Sequence, residues 1–198
     1  MAYEKLLRID KPFFSNEDVA YTLGIEPESA AVLCSRYVKR GLLTRLKRGL
    51  YARTETLANL GQLGLFRLAN LLQVPSYISL MTALSYHGVT TQVQRDVFES
   101  ISIKRTKTFL RGGYTFRYVK ITPRLYSGFK KELDAFIASP EKATLDCFYL
   151  ASMGRYALDI SALDLSKLDE RVIGKFSNVF PAKTMKFFER HYEKTARS

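Results

Sequence analysis

Seven basic residues lie between positions 36 and 53, a stretch that contains no Asp or Glu. They are Arg36, Lys39, Arg40, Arg45, Lys47, Arg48 and Arg53. Cations segregated in this way have a clear chemical target in the phosphates of DNA, to which Arg and Lys donate charge-assisted hydrogen bonds. The stretch therefore predicts nucleic-acid binding. The alternative interpretation is a solvated face on a small helical module that binds another protein.

The residues around these cations have the pattern of two helices joined by a tight turn. Ser15 is a typical N-cap for a first helix, which Gly24 ends. Pro27 opens a second helix, which Gly41 ends. This arrangement predicts a helix-turn-helix whose second helix enters a major groove of DNA.

The second helix divides into an apolar stripe and a polar outer side. The predicted stripe contains Ala30, Leu33 or Cys34, Tyr37 and Val38. The outer side, which we expect to face DNA, contains Ser29, Val32, Ser35, Arg36, Lys39 and Arg40. Residues 42–46 and 49–52 then form two strand-like runs around Lys47 and Arg48, which predicts a β-hairpin wing. The wing residues Arg45, Lys47 and Arg48 are predicted to contact backbone phosphate or the minor groove.

A second basic zone lies in the middle of the chain. The net charge is +12, and residues 91–131 carry ten basic and two acidic residues. Strands are predicted over 97–104 and 114–121 as an antiparallel pair, surrounded by a secondary basic face. This face contains Lys104, Arg105, Lys107, Arg111, Arg117 and Lys120. The first interpretation of this face is an extension of the DNA contact or an RNA-binding surface. The second is the face that meets an acidic toxin or substrate nucleic acid. The third is a solvated surface.

The sequence predicts an α+β protein of two domains, a winged helix-turn-helix over 1–56 and a mixed α/β domain with a helix-covered small sheet over 57–198. A first helix is expected over 3–9, with Leu6, Leu7 and Ile9 packed under the helix-turn-helix, and a junction over 54–60. The second domain is expected to hold helices over 61–74, 80–87, 140–150, 165–179 and 182–194 and further short strands over 76–79 and 134–138. Tyr114, Phe116 and Tyr118 are expected on the core face of their strand.

No catalytic, metal-binding or cofactor-binding constellation is predicted. His87 and His191 are far apart in sequence, and His87 beside Gly88 is interpreted as a structural histidine at a helix end. Glu141 and Asp146 are five positions apart on a helix, so they make a poor acid–base pair. Cys34 and Cys147 are predicted to be core residues in a reducing compartment. With no signal peptide or membrane span visible, the chain is expected in the cytoplasm.

Three segments together resemble the AbiEi family, the antitoxins of type IV toxin–antitoxin (abortive-infection) systems. They are the wing signature over 47–52 (KRGLYA), the segment over 82–90 (TALSYHGVT), and the helix start over 138–146 (ASPEKATLD). The resemblance implies an N-terminal winged helix and a C-terminal antitoxin domain. It also implies a role in phage defence, in which the protein represses its own operon and opposes a nucleotidyltransferase-like toxin encoded beside it.

Three functions are compatible with these features of the sequence. The first is a non-enzymatic repressor and antitoxin that binds double-stranded DNA of its own promoter, at inverted repeats. The second is an enzyme of nucleic-acid metabolism that the winged helix targets, with Asp146 and either Glu141 or Asp159 as its acids. The third is an adaptor whose winged helix binds protein. The sequence leaves the oligomeric state open, since it contains no heptad pattern.

Overall fold

A computed structural model describes residues 2–196 of the chain. Two compact units can be distinguished. Unit 1 lies within Met1–Gln62 and adds the short segment Leu110–Tyr114, and unit 2 lies within Leu63–Phe109 and Thr115–Ser198. Nothing in residues 2–196 forms a helix that is both long and apolar enough to cross a membrane.

Unit 1 is a winged helix-turn-helix. Its helices are α1 Ala2–Leu6, α2 Asn16–Leu23, α3 Pro27–Lys39 and α4 Thr54–Ala58. Its strands are β1 Phe14–Ser15, β2 Leu43–Lys47 and β3 Leu50–Arg53, in the sheet order β1-β3-β2. β2 and β3 are antiparallel and form the predicted wing.

Local capping fixes where α2 and α3 begin and end. The Ser15 hydroxyl accepts from the Asp18 amide at 3.2 Å, and the Asp18 carboxylate accepts from the Ser15 amide at 2.8 Å. These reciprocal bonds form a capping box, which satisfies two backbone donors at the start of α2. Gly24 ends α2 at φ 66°, a left-handed conformation that glycine adopts without a Cβ clash. Pro27 then occupies the first position of α3, as the sequence predicts.

Two details of unit 1 differ from the sequence-based expectations. The first helix ends at Leu6, and the expected packing of Leu7 is wrong because its side chain is 55% exposed. Leu6 and Ile9 are buried as expected. The expected junction after the wing contains the short helix α4, because Leu57 buries its side chain.

The remaining elements build a mixed six-stranded sheet with helices. The strands, in the order β6-β7-β5-β4-β9-β8, are β4 Ser76–Ile78, β5 Val97–Ser102, β6 Lys107–Arg111, β7 Tyr114–Lys120, β8 Phe129–Glu132 and β9 Ala135–Ala138. The helices are α5 Gln62–Leu72, α6 Leu80–Tyr86, α7 Pro140–Ser152, α8 Glu170–Phe176 and α9 Ala182–Ala196. The predicted α+β fold class, a winged helix-turn-helix followed by a mixed α/β region, is confirmed.

Helices α5 and α7 cover opposite faces of this sheet. Tyr118 donates to the Ala69 carbonyl of α5 at 2.5 Å, whereas Tyr77 donates to Asp146 of α7 at 2.9 Å. Tyr77 on β4 pairs with Ile101 on β5, and Ile101 pairs with Val119 on β7, so these three side chains share a face of the sheet. Because successive side chains of a strand alternate in direction, Tyr118 lies on the opposite face. The sheet is therefore buried from both sides.

The predicted antiparallel pairing of the two basic strands is wrong, since β5 and β7 are parallel neighbours. The chain forms an additional strand between them, β6, whose sequence KTFLR has only half-buried or exposed side chains. β6 leads into β7 through Gly112-Gly113 and pairs with it. A second strand without a clear apolar pattern, β8, pairs with β9 through a turn in which Leu133 and Asp134 both have positive φ.

The predicted helix over 165–179 is shorter than expected. The Asp169 carboxylate accepts from the Arg171 amide at 2.8 Å and starts α8 at Glu170. Leu165–Lys167 is instead a separate 3-10 turn. The other predicted helices are present within two residues of their expected starts. Phe116 and Tyr118 are buried as predicted, and Tyr114 is half-buried.

Candidate nucleic-acid interface

Helix α3 presents a largely polar surface to solvent, with Val32 as its exposed apolar member. Every predicted outward residue is exposed, namely Ser29, Val32, Ser35, Arg36, Lys39 and Arg40. The opposite side packs into the core of unit 1 through Ala30, Cys34 and Tyr37, each at most 6% exposed. The predicted division of this helix into a buried stripe and an outer side is confirmed, and its orientation is set by packing.

The buried stripe contains the thiol of Cys34, which is expected to be unreactive in the folded protein. Burial raises the pKa of the Cys34 thiol to about 11, because the apolar surroundings destabilise the thiolate. Tyr37 packs edge-on against Tyr3 of α1, with the ring centroids 5.3 Å apart. This ring contact holds the inner side of α3 against α1. Cys147 is also buried, and neither cysteine forms a disulfide.

The wing carries its cations at an exposed tip above an apolar base. Leu43 and Leu46 are buried on β2, as are Tyr51 and Ala52 on β3. The register between the strands shifts between Arg45 and Lys47, so a bulge lies beside the tip. Gly49, at φ 71°, completes the turn. The basic residues Arg45, Lys47 and Arg48 are all exposed.

Arg53 has a structural role. Its Nε donates to the Thr56 hydroxyl at 3.0 Å, and its Nη1 donates to the Ile9 carbonyl at 3.3 Å. These bonds hold the end of the wing against the segment that follows α1. Six of the seven cations in the original pattern therefore remain at the exposed surface of α3 and the wing.

The amino end of α3 carries negative charge. Glu26 and Glu28 are both exposed there, whereas Arg36, Lys39 and Arg40 lie in and just after the last turn. This distribution complements the helix dipole. It also concentrates the attraction for phosphate in the second half of α3 and in the wing.

The secondary basic face is in part held by structural contacts. Lys104, Arg105, Lys107, Arg117 and Lys120 are exposed. Arg117 pairs with the buried Glu99 carboxylate at 3.3 Å, and Lys107 lies 4.6 Å from the centroid of the Phe109 ring. Within unit 1, Arg111 is half-buried and its Nε donates to the Leu46 carbonyl at 2.7 Å. Arg111 and Arg117 therefore each have a partner inside the protein.

Sequence reasoning missed a buried polar network on α7. Lys142 and Asp146 are both fully buried and form an ion pair. The Asp146 carboxylate also accepts from the Ser79 hydroxyl at 2.8 Å and from Tyr77 at 2.9 Å, and Lys142 Nζ donates to the Tyr77 oxygen at 2.8 Å. Burial lowers the pKa of the Lys142 ammonium, and the Asp146 carboxylate opposes this shift. The four-residue spacing of Lys and Asp on a predicted helix was the available signal.

A second buried carboxylate lies on β5. Burial raises the pKa of the Glu99 carboxyl, while bonds from Tyr156 and Arg117 oppose the shift. The Tyr156 hydroxyl donates to Glu99 at 2.7 Å. The burial of Glu99 was not predicted, because a single acidic residue in a sequence gives no sign of a partner that lies 57 positions along the chain, as Tyr156 does.

The acids considered for an enzyme have separate structural partners. Glu141 accepts from the Asp169 amide at 3.2 Å, and Asp159 accepts from Ser161 and Gln92 at 2.6 and 3.2 Å. Asp146 is enclosed in the α7 network. Across residues 2–196, no group of three His, Cys, Asp or Glu side chains is arranged to hold a metal ion. His87 lies at the carboxyl end of α6, and its Nε2 is 2.8 Å from the carbonyl oxygen of Ala138 on β9. This contact fits the predicted structural role of His87.

An apolar groove of about 520 Å³ lies in unit 2 between α5 and the β8–β9 hairpin. Its charged lining residues are Arg67, Lys131 and Asp134. The Phe129 ring in its wall stacks on Tyr77 at 4.5 Å, and Tyr77 lies between this ring and the Lys142–Asp146 pair. The buried pair is therefore enclosed and does not open into the groove.

Residues 1–54 match the model of a family described as "Transcriptional regulator, AbiEi antitoxin". The resemblance recognised in the sequence is thus confirmed over the winged helix. The comparison with curated proteins found no match. Among solved structures, the fold is similar to the crystal structure of the RV2827C protein from Mycobacterium tuberculosis. The TM-score is 0.66 at 12% identity, and the alignment covers 97% of this chain and 75% of that chain, which establishes a likeness of fold.

Proposed function

We propose that this chain is a DNA-binding autorepressor and antitoxin that acts against a nucleotidyltransferase-like toxin encoded in the same operon. The observation that carries the proposal is the exposed basic surface of α3 and the wing, located in the segment that matches the regulator family. Winged helices of this geometry place their second helix in a major groove. The family match supports a regulator or antitoxin role in general terms.

The two parts of the surface have different tasks in this proposal. Ser29, Val32, Ser35, Arg36 and Lys39 on α3 contact base edges and the adjacent phosphates, and Arg40 contacts phosphate. Arg45, Lys47 and Arg48 on the wing contact the sugar–phosphate backbone or the minor groove. Base-edge contacts provide sequence preference, whereas phosphate contacts provide affinity and a fixed register on the duplex.

The functional division that we propose places DNA binding in 1–56 and antitoxin action in 57–198. The secondary basic face would extend the phosphate contact through its exposed cations, Lys104, Arg105, Lys107 and Lys120. Arg117 contributes less in this scheme, because it already pairs with Glu99. The DNA target is the protein's own promoter, at inverted repeats.

The test is binding of the full chain to the duplex immediately upstream of its own coding region, compared with a scrambled duplex. Fluorescence anisotropy is measured across about 50 to 200 mM salt, where each phosphate contact contributes a slope of about −0.9 in log K against log salt. Tight and sequence-selective binding is expected. It should be lost in the double variant Arg36→Ala/Lys39→Ala.

A matched control is available on α9. Lys183 and Lys186 have the same three-residue spacing as Arg36 and Lys39, are also exposed, and their replacement by alanine removes the same charge. Lys183→Ala/Lys186→Ala should therefore retain selective binding. Weak binding that is indifferent to sequence at every salt concentration would contradict the operator-binding role and favour the protein-binding adaptor.

A further inference from the structure

One apolar side chain lies within the polar outer side of α3. Val32 is 54% exposed, and the other five outward residues named above are polar or basic. Its neighbours on the helix surface, three or four positions away, are Glu28 and Ser29 towards the start of α3 and Ser35 and Arg36 towards its end. At 100° per residue, Val32 is about half a turn from the buried stripe of Ala30, Cys34 and Tyr37. It therefore occupies the centre of the face that α3 presents outward.

Single exposed apolar residues are common on protein surfaces and need no special explanation. Val93, which is 66% exposed in unit 2, is an example in this chain. Val32 differs because it lies at the centre of the surface on which the proposed DNA contact depends. A branched aliphatic group at that position has one apolar counterpart on the floor of a major groove, the 5-methyl group of thymine.

Arg36 provides a second chemical constraint. Its planar guanidinium matches O6 and N7 of guanine, which both accept hydrogen bonds at the major-groove edge. Val32 and Arg36 are four residues apart, and this separation is about 6 Å along a helix axis. Successive base pairs are about 3.4 Å apart along the duplex, so the two side chains reach bases within two base pairs of each other.

We infer that Val32 reads the methyl group of a thymine and that Arg36 reads a guanine within two base pairs of it. This inference rests on the proposed DNA-binding function and specifies the sequence feature that the same surface recognises. Ser29 and Ser35, on either side of Val32, hydrogen-bond to any base and so add little discrimination.

The first experiment identifies the binding site by selection of full-length protein on a random duplex library at about 100 mM salt, a concentration at which phosphate contacts alone bind weakly. The selected half-site should contain a thymine and a guanine no more than two base pairs apart. A selected site without such a pair would overturn the inference while leaving sequence-selective binding intact.

The second experiment removes only the methyl group, by replacing the selected thymine with deoxyuridine. Wild-type protein should lose about fourfold in affinity, the value of one buried methyl-sized group. Val32→Ala should discriminate less than wild type between the thymine and deoxyuridine duplexes, because its shorter side chain retains only part of the contact, and Val32→Ile should keep the preference. Val93→Ala is the control and should behave as wild type.

The third experiment replaces the selected guanine with 7-deazaguanine, which lacks the N7 acceptor. Wild-type protein should lose about fivefold or more, and Arg36→Ala should show no further loss. If Val32→Ala keeps the full thymine preference, or if Arg36→Ala remains sensitive to 7-deazaguanine, the readout is wrong although DNA binding stands. If no duplex is bound selectively, the inference and the proposed function fail together.

Discussion

Lys142 and Asp146 are one helical turn apart on α7 and form an ion pair with no exposed surface on either side chain. Isolated charges are not tolerated in such an environment, because burial removes their hydration. The pair is stabilised by two hydroxyl groups, those of Tyr77 and Ser79, which converge on the Asp146 carboxylate. The geometry of this hydrogen-bonded ion pair indicates that it fixes how α7 packs on the sheet.

Replacing one partner of this pair should be far more harmful than replacing both. Asp146→Ala leaves a buried ammonium without a counter-ion, and the free energy of unfolding should fall by about 3–5 kcal/mol. The double variant Lys142→Met/Asp146→Leu should recover much of that loss, because it restores apolar packing. Urea denaturation of the variants and of Lys142→Met gives the coupling energy. An additive double variant would contradict the pairing.

The milder change Asp146→Asn should also make stability depend on pH. Burial lowers the pKa of Lys142 below its ordinary value of 10.5, and loss of the carboxylate removes the interaction that opposes this shift. At a pH between the lowered pKa of the folded state and the value of 10.5 in the unfolded chain, the unfolded chain binds more protons than the folded protein. The free energy of unfolding therefore rises with pH in this range. Denaturation from pH 7 to 10 should therefore show a steeper rise for Asp146→Asn than for the wild type.

The capping box of α2 should contribute measurably to the stability of unit 1. Ser15→Ala should lower the free energy of unfolding by about 1 kcal/mol, since it leaves a helix-end amide without its acceptor. The hydrogen bond from the Lys11 ammonium lowers the pKa of the Asp18 carboxyl below its ordinary value of 3.8, and the bonds from Ser15 act in the same direction. Burial opposes this shift without reversing it. The advantage of wild type over Asp18→Asn is therefore fully present above 3.8 and is lost as pH falls through the lowered pKa. A constant difference from pH 7 to pH 2 would contradict this assignment.

The turn between β6 and β7 should be intolerant of a side chain at one of its two glycines. A Cβ on Gly112 would lie 2.3 Å from Leu57 Cδ2 and 2.9 Å from Leu57 Cγ, whereas a Cβ on Gly113 would meet nothing within 4 Å. Both residues have positive φ, so both alanine variants carry a backbone penalty of about 1–2 kcal/mol. Gly112→Ala should be the less stable of the two in thermal melts. Equal stability would show that Leu57 moves aside at little cost.

Sequence reasoning succeeded where the signal was local. Ser15, Gly24 and Pro27 specify the helix ends through their own hydrogen bonds and dihedral angles, so the helix-turn-helix could be predicted closely. It failed where the deciding interaction was distant. The strand β6 has little apolar pattern, and only its pairing with β7 reveals it.

The candidate site shows the same division. The exposed cations of α3 follow from helical spacing, and their exposure is confirmed. The role of Arg53 could not be predicted, because its acceptor at Ile9 lies 44 residues away. The pairing of Arg117 with Glu99 was missed for a related reason, since these residues belong to strands that were predicted in the wrong relative direction.

The buried cysteines should be unreactive in the folded protein. At pH 8, a pKa of about 11 leaves about one Cys34 thiol in a thousand as the thiolate, the form that alkylating reagents attack. Cys147 is fully buried, and burial raises the pKa of its thiol as well. Iodoacetamide should modify neither residue in buffer and both in denaturant, as measured by intact mass. Rapid native labelling would show that one of the helices α3 and α7 opens readily.

The different roles proposed for α3 and the wing predict different effects of mutation on DNA binding. Arg36→Ala should weaken binding to the selected site by about 1–3 kcal/mol and relax the base preference, because it removes a base-edge contact. Arg48→Ala at the wing tip should weaken binding to all duplexes evenly and reduce the salt slope by about 1, because it removes one phosphate contact. Each variant is titrated against the selected and the scrambled duplex at several salt concentrations. Equal loss of selectivity in both variants would show that the wing also reads bases, and unchanged selectivity in Arg36→Ala would move base recognition away from the second half of α3.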